Sequence, residues 1–192
     1  MPRQATLSAP SLPSAPTAPG ADLRPFMAAF PTGVAVLTTF DAAGRPQGMT
    51  CTSLCSVALH PATLMVCLRT ASATLGAVRE SGGFSLNLLH DGGRATSTLF
   101  GSGAPDRFER TAWSVPAAVR GGPHLHADAH ATADCTVVRT VEFGDHTALF
   151  AEVHHITEHT AAPAPLLYGL RTYASWSATT GGQNGETPDG HR

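Results

Sequence analysis

The segment GVAVLTTFDAAGRPQGMTCTSLCSV, residues Gly33–Val57, favours an antiparallel fold. Its first eight residues are rich in the β-branched and aromatic types that strands prefer, and DAAGRPQG then supplies the glycine and proline of a tight turn. GMTCTSLCSV, Gly48–Val57, follows as the second strand of a predicted hairpin. This second strand is unusual because six of its side chains are hydroxyls or thiols, whereas a strand that only fills a core is rich in Val, Ile and Leu.

The rest of the chain continues the pattern of strands joined by short helices. A helix is predicted before the hairpin, a second where Ser72 can cap the chain and Gly82 can end it, and a third that Asp91 can cap. The pair of long strands that follows is separated by little more than Gly144-Asp145, which predicts another hairpin. The sequence therefore predicts a mostly β, antiparallel barrel and not a doubly wound parallel sheet. The predicted helices are 23–30, 73–80 and 91–100, and the further strands are 63–69, 84–89, 133–143, 146–156 and 166–168.

The composition argues against several classes of function. The 192 residues are 42% hydrophobic and carry a formal net charge of −2 without a basic block, which argues against a nucleic-acid partner. No apolar run approaches the roughly 18–20 residues that a membrane-spanning helix needs. The four cysteines lack paired spacing, which favours free thiols and a cytoplasmic location.

The two ends of the chain differ in composition from its middle. Residues 1–22 are rich in Pro, Ala and Ser and lack the apolar core of a signal peptide, so we expect a disordered arm. Residues 178–192 are expected to form a disordered tail. The predicted folded domain is therefore residues 23–177.

Two further features of the sequence suggest a nucleotide site and a metal site. GSGAPD, which starts at Gly101, lacks the third glycine of a dinucleotide fingerprint and follows a predicted helix where a strand is required. The histidines cluster in residues 124–130 and 152–159. Strand alternation places Glu152 and His154 on one face and His155 on the other, which suits three metal ligands poorly. We therefore expect solvated histidines and no metal, with a zinc or iron site as the open alternative.

The polar strand and the segment after Arg69 suggest a phosphorylated ligand. Arg69 is a fixed cation that can hold a phosphate through two hydrogen bonds, and Thr70, Ser72 and Thr74 add hydroxyls where a helix begins. The alternative is that Ser72 only caps the helix and that the polar strand faces solvent. Taken together, these elements favour a phosphorylated ligand that lies along a strand edge.

FPTGVAVLTTFDAAGRPQGMTCTSLCSVALHPATLMVCLR resembles the opening of the flavin reductase-like family, the FMN-binding split barrels. The resemblance continues through FSLNLL, the DRF at Asp106–Phe108, the ADC at Ala133–Cys135, FGDHTALFAEV and PLLY, over roughly Phe26 to Trp176. It implies a homodimer of six-stranded antiparallel split barrels that bind FMN or FAD near the subunit interface. It also implies an NAD(P)H:flavin oxidoreductase, which uses NADH or NADPH and supplies reduced flavin to a partner monooxygenase.

The resemblance also implies site residues. His146 would position the nicotinamide, and Asn87 is either a hydrogen-bond donor near the flavin or a satisfied core amide. Relatives carry His-Arg where this chain has Gly169-Leu170, which keeps a non-catalytic flavin-binding module open as an alternative. The implied flavin-binding residues are Pro31, Thr32, Gly33, Val34, Thr50, Cys51, Thr52, Ser53, Arg69, Thr70, Ser72, Thr74, Asn87, Phe100 and Arg107, and the implied NAD(P)H-binding residues are Gly144, Asp145, His146, Tyr168 and Tyr173.

Overall fold

The structure, a computed structural model, describes residues 21–116, 121–160, 162 and 164–176. The predicted arm therefore lies outside the described residues except for Ala21 and Asp22, and the predicted tail lies outside them altogether. Strands dominate the described part of the chain. The elements are α1 (Leu23–Ala28), β1 (Thr32–Gly33), β2 (Ala35–Phe40), β3 (Pro46–Cys51), β4 (Leu54–Leu59), β5 (Ala62–Arg69), α2 (Ala73–Ser81), β6 (Gly83–Leu89), a 3₁₀ turn (Asp91–Gly93), α3 (Arg94–Ser102), β7 (Ala129–Phe143), β8 (His146–Glu158), β9 (Leu166–Gly169) and β10 (Thr172–Ser175).

The strands form two antiparallel sheets. The main sheet has seven strands in the order β3-β2-β6-β7-β8-β5-β4, and the small sheet has three in the order β1-β9-β10. The antiparallel, mostly β fold is confirmed, but the predicted count of six strands is wrong. The count differs because the segment 48–57 is divided between β3 and β4, and because β1, β9 and β10 form a sheet of their own.

The division of that segment has a consequence for the whole sheet. β3 pairs with β2, whereas β4 pairs with β5, so the chain changes partners at Thr52-Ser53. These two residues join the two edge strands of the seven-stranded sheet. The sheet must therefore curve, because the end of β3 and the start of β4 are only two residues apart in the chain.

Two groups of buried side chains form the core. One contains Leu37, Val66, Phe84 and Leu149 and packs between the inner faces of the main sheet and α2. The other lies beside β1, β9 and α3 and contains Phe100, Phe108 and Leu125. The two cores leave the outer face of β5 and β8 uncovered by a core cluster.

The predicted helix caps are partly confirmed. Ser72 caps α2 by accepting a hydrogen bond from the Leu75 N–H at 3.1 Å, and Gly82 ends that helix in the left-handed region at φ +73°. Asp91 was the wrong cap for the next helix. It starts a 3₁₀ turn in which the His90 side chain accepts from the Gly92 N–H, and α3 begins only at Arg94.

A polar network pins the segment that starts at Gly121 onto the main sheet. The Ser85 Oγ and the His124 Nε2 both lie within hydrogen-bond distance of the Asp134 carboxylate, and the three side chains are buried. The Gly122 N–H donates to Ser85 Oγ at 2.8 Å. No helix within the described residues has the length and hydrophobicity needed to cross a membrane.

Candidate functional site

The outer face of β5 carries side chains of three different kinds. Strand alternation buries Val66 and Leu68 in the core and turns Met65, Cys67 and Arg69 outward. The register with β8 places Phe150, Ala148 and His146 directly opposite these three. The outer face therefore changes along the strand from apolar at Met65 to cationic at Arg69.

A cavity of about 610 Å³, here called the α1 cavity, lies over the apolar part of this face. Met65 and Cys67 line it from β5, and Met27 and Phe30 line it from the α1 segment. No carboxylate or histidine within the described residues lines it. Its remaining lining comes from Arg24, Ala28, Thr32, Thr52, Ser53, Leu54, Cys55, Tyr168, Gly169 and Arg171.

The small residues at the strand break lie in this cavity. Ser53 turns its hydroxyl back onto β5, where it donates to the Cys67 carbonyl at 2.7 Å. Thr52 is exposed, and its hydroxyl has no hydrogen-bond partner within the described part of the chain. Because both residues stand between two strands, neither is part of a β ladder. They offer small side chains and a hydroxyl to a molecule in the cavity.

A second cavity of about 440 Å³ adjoins the first and shares Thr32 and Thr52 with it. Pro31 and Gly33 line it as the resemblance implied for the segment that flanks the ring. Val34 also lines it, but its side chain is buried and its backbone is fully paired. The Val34 N–H donates to the Leu166 carbonyl and its carbonyl accepts from Leu89.

The cationic end of the outer face, here called the Arg69 corner, brings together two predicted groups. The Thr70 N–H donates to the Asp145 carbonyl at 2.9 Å, so the start of α2 lies against the turn between β7 and β8. Arg69 is exposed, and its side chain makes no hydrogen bond or ion pair within the described residues. The hydrogen bond from His146, at 2.7 Å, and the nearby Arg69 lower the pKa of Asp145.

Several residues predicted to contact the flavin have side chains that are buried in the protein. Asn87 is fully buried; its amide N–H groups are directed at Val36 O, Thr38 Oγ1 and Pro123 O, and its carbonyl accepts from Leu125 N and Thr132 Oγ1. It is a satisfied core amide with nothing left to offer a ligand. The side chains of Val34, Cys51, Thr74 and Phe100 are also buried among protein atoms.

Two more residues that were predicted to bind the flavin make hydrogen bonds within the protein. Arg107 donates to the Gly48 carbonyl at 3.0 Å and to the Ala104 carbonyl at 2.9 Å. Thr50 donates to the Ser97 carbonyl at 2.7 Å and so joins β3 to α3. The Arg107 guanidinium is therefore committed to the loop that follows α3 and lines neither of the cavities described above.

A third cavity, of about 450 Å³ and here called the Tyr173 cavity, lies where α3 meets the small sheet. The rings of Tyr168 and Tyr173 lie 5.1 Å apart between centroids, and the Tyr173 hydroxyl is 2.9 Å from Ser97 Oγ. Sequence reasoning missed Arg94 and Arg171, which both line this cavity. Neither lies in a recognisable motif, although Arg171 directly follows the Gly169-Leu170 departure from the family pattern.

The histidine groups do not assemble into a metal site within the described residues, where no three His, Cys, Asp or Glu side chains are placed to hold an ion. The donor set of the α1 cavity and the Arg69 corner instead fits a flavin. An apolar cavity suits an aromatic ring, the free Thr52 hydroxyl suits a polyol, and an unpartnered guanidinium suits a phosphate.

The chain is similar to known flavin reductases. A curated flavin reductase (NADPH) of Lentzea aerocolonigenes is 50% identical over 158 residues, which cover 82% of this chain and 90% of that protein. The structure of a nitrilotriacetate monooxygenase component B homologue from Mycobacterium thermoresistibile superposes with a TM-score of 0.76 at 30% identity, over 87% of this chain and 92% of the other.

A second solved structure includes bound ligands. It is the NADH:FAD oxidoreductase of Streptomyces globisporus in complex with NAD and FAD fragments, with a TM-score of 0.73 and 28% identity over 79% of this chain and 89% of the other. The family described as flavin reductase like domain matches residues 27–177. The chain described above therefore belongs to the flavin reductase-like domain family.

Proposed function

We propose that the α1 cavity and the Arg69 corner together form the flavin site of an NAD(P)H-dependent flavin reductase. The observation that carries this proposal is the outer face of β5, where Met65 and Cys67 line a cavity and Arg69 follows on the same face. Met65 and Arg69 are four residues apart, or about 13 Å at roughly 3.3 Å per residue. A flavin has the same order of groups, with an apolar ring, a polyol chain and a phosphate.

The binding residues have separate tasks. Met27 and Phe30 enclose the ring from the α1 side and exclude water from it. Thr52 and Ser53 keep the adjacent wall small, so that a ring can approach the backbone where the chain leaves β3. Arg69, with the Thr70 hydroxyl beside it, neutralises the phosphate.

The chain's contribution to the reaction is mainly positioning. A bound flavin supplies the acceptor for the hydride of a reduced nicotinamide. Hydride transfer between the two rings needs no general base, and no carboxylate or histidine within the described residues lines the α1 cavity. Holding the two rings in contact supplies most of the rate enhancement, and His146 would help to hold the nicotinamide cofactor on the outer face of β5 and β8.

The cofactor set follows from the relatives' names. FMN or FAD is the acceptor, and NADPH or NADH is the donor, since the curated relative from Lentzea aerocolonigenes is named for NADPH and the Streptomyces globisporus protein for NADH and FAD. The Mycobacterium thermoresistibile homologue is named for a monooxygenase component, and the partner proposed for this chain is likewise a monooxygenase, which receives reduced flavin by diffusion. All four cysteines are free, which suits the reducing cytoplasm.

The exposed apolar surface supports a homodimer. Phe26 on α1 is 74% exposed, Leu59 on β4 is 78% exposed and Phe143 at the end of β7 is 81% exposed. None of the six α1 residues is buried, although four of them are Leu, Pro, Phe and Met. Apolar residues left uncovered on this scale mark an interaction surface, and a second copy of the chain would cover it next to the α1 cavity.

An anaerobic assay tests the proposed activity. Purified protein is mixed with FMN or FAD and then with NADH or NADPH under nitrogen, and loss of flavin absorbance is followed. Bleaching faster than without protein is expected. Flavin binding without accelerated bleaching would support the non-catalytic flavin-binding module instead.

Two variants separate binding from orientation. Arg69→Gln is expected to weaken flavin affinity roughly ten- to a hundredfold because a charge-assisted contact is lost. Arg110→Gln, which removes another exposed arginine outside the three cavities, is the matched control. His146→Ala is expected to raise the KM for the nicotinamide. Complete loss of reduction with flavin affinity intact would instead give His146 a direct chemical role.

A further inference from the structure

The turn between β9 and β10 has an unfavourable backbone. Its two central residues, Leu170 and Arg171, have φ values of +50° and +60°. The flanking Gly169 and Thr172 are register partners, so this is a two-residue hairpin turn of the kind that favours Asn-Gly. A non-glycine residue in the left-handed region is destabilising, and such strain occurs often at functional sites.

The surrounding structure holds this turn in place. The Leu170 N–H donates to the carbonyl of Ala28 at the end of α1, and β9 pairs with β1 as well as with β10. Arg171 is consequently fixed where two cavities meet, and it lines both the α1 cavity and the Tyr173 cavity. Tyr168 is shared by the two cavities in the same way.

Arg94 approaches the Tyr173 cavity from α3. Its guanidinium lies over the ring of Tyr173, 5.4 Å from the centroid, and this contact orients it. Neither Arg94 nor Arg171 makes a side-chain hydrogen bond or an ion pair within the described residues. Thr98 and Thr172 also line the cavity, although their hydroxyls donate to the carbonyls of Arg94 and Leu170. Two arginines without acidic partners that face one polar cavity can together bind an anion.

We infer that the Tyr173 cavity binds a second phosphate group, that of an adenosine phosphate, with Arg94 and Arg171 as its ligands. The inference rests on the proposed function, because a dinucleotide that occupies the α1 cavity can extend past Tyr168 into the Tyr173 cavity. FMN carries one phosphate, which the Arg69 corner receives. In FAD the second phosphate is bonded to the first and would lie with it at the Arg69 corner. The phosphate assigned to the Tyr173 cavity is therefore the adenosine 2′-phosphate of NADPH, which NADH and FMN lack.

Direct binding of two fragments tests the inference without turnover. Titration calorimetry measures 2′,5′-ADP, which carries the 2′-phosphate of NADPH, and 5′-ADP, which lacks it, on the full chain and its variants. Arg171→Gln and Arg94→Gln are each expected to weaken the binding of 2′,5′-ADP by about fivefold or more and that of 5′-ADP by less. Arg171→Lys is expected to restore part of the lost affinity, and Arg110→Gln is the matched control. A larger loss for 5′-ADP would contradict the assignment to the 2′-phosphate.

Other results would overturn the inference. If the unaltered protein bound neither fragment, or if both glutamine variants bound both fragments as tightly as the unaltered protein, the Tyr173 cavity would not be a phosphate site. An FMN titration of the unaltered protein is run beside these measurements. Failure to bind FMN contradicts the proposed function itself, whereas FMN binding with insensitive fragment affinities contradicts the second phosphate site alone.

Discussion

Polar side chains in this protein differ in how far along the chain their hydrogen-bond partners lie. Ser72 caps α2 through the Leu75 N–H, only three residues away, and such a cap can be predicted from the sequence. Asn87 bonds to residues 36–38, 123–125 and 132, which only the folded chain brings together. An amide inside an apolar strand shows that partners must exist, but not whether they are protein or ligand.

Gly122 illustrates a requirement that is invisible in the sequence. A Cβ added there would lie 2.2 Å from both the carbonyl carbon and the oxygen of Thr38. We expect Gly122→Ala to lower the free energy of unfolding by at least about 2 kcal/mol, because the clash is with backbone that cannot rotate away. Urea denaturation followed by circular dichroism measures this.

Gly76 provides the control for that substitution. It lies inside α2, and a Cβ there would meet no atom within 4 Å. Gly76→Ala is therefore expected to raise the free energy of unfolding by up to about 1 kcal/mol through helix propensity. If both variants changed stability equally, the close approach at Gly122 would be refuted.

The four thiols are expected to react at different rates. Burial raises the pKa of Cys51 to about 12, and burial with the nearby Asp134 does the same for Cys135. Cys55 is exposed, and Cys67 is half-buried in the α1 cavity. In the native protein a thiol reagent should label Cys55 fast and Cys67 more slowly, and should label Cys51 and Cys135 only after unfolding.

The same labelling experiment, repeated with bound flavin, tests where the flavin lies. Since Cys55 and Cys67 both line the α1 cavity, saturating FMN should slow their labelling, which mass spectrometry of the digested protein can assign to each thiol. Unchanged rates at both positions would place the flavin elsewhere. Rapid labelling of Cys51 in the native state would contradict its burial.

At the scale of elements, hairpins with short turns were predictable and changes of partner were not. β7 and β8 were recognised because the turn between them needs only Gly144 and Asp145. The polar run 48–57 has the length and alternation of a single strand, and the sequence therefore predicts one. Its division at Thr52-Ser53 depends on pairing with β5, which propensity cannot show.

β10 was missed for a related reason. The turn before it contains Leu170 and Arg171, and neither residue type indicates a two-residue hairpin turn. The short strand is held by its register with β9, from Thr172 opposite Gly169 to Ser175 opposite Leu166. Tertiary pairing outweighs the unfavourable turn.

The same turn gives a prediction about stability. Arg171→Gly should raise the free energy of unfolding by roughly 1 kcal/mol, because glycine adopts φ +60° without the Cβ penalty. It should also weaken adenosine-phosphate binding as Arg171→Gln does. Thermal unfolding and calorimetry on the same samples measure the two effects, and a loss of stability on Arg171→Gly would show that the left-handed backbone is not strained.

At the scale of the whole molecule, the order of strands decides where the site lies. β3 and β4 are neighbours in sequence and yet form the two opposite edges of the main sheet. The α1 cavity lies at this junction, where small residues leave room between the edges and α1. The sequence predicted the residue types of the junction, whereas the placement of α1 and the small sheet over it depends on long-range contacts.

Two of the clustered histidines should make the stability of the protein depend on pH. His159 lies 2.9 Å from Thr132 Oγ1 and near His124, His126 and His130, while His130 lies near His90. Burial, and then the neighbouring histidines, lower the pKa of both His130 and His159 below the ordinary value of 6.5. The carboxylate of Asp134 also belongs to this region, through its contact with His124.

The direction of the effect follows from proton uptake. Above pH 6.5 both histidines are neutral in the folded and the unfolded chain and contribute nothing to the pH dependence. As the pH falls below 6.5, the unfolded chain binds protons that the folded chain resists, so the free energy of unfolding falls until the lowered pKa values are passed. Thermal unfolding between about pH 7.5 and 5 should show this decline. His159→Gln and His130→Gln should each flatten it, whereas His154→Gln, an exposed histidine on β8, is the matched control. A decline of unchanged steepness in both variants would place its origin in other groups.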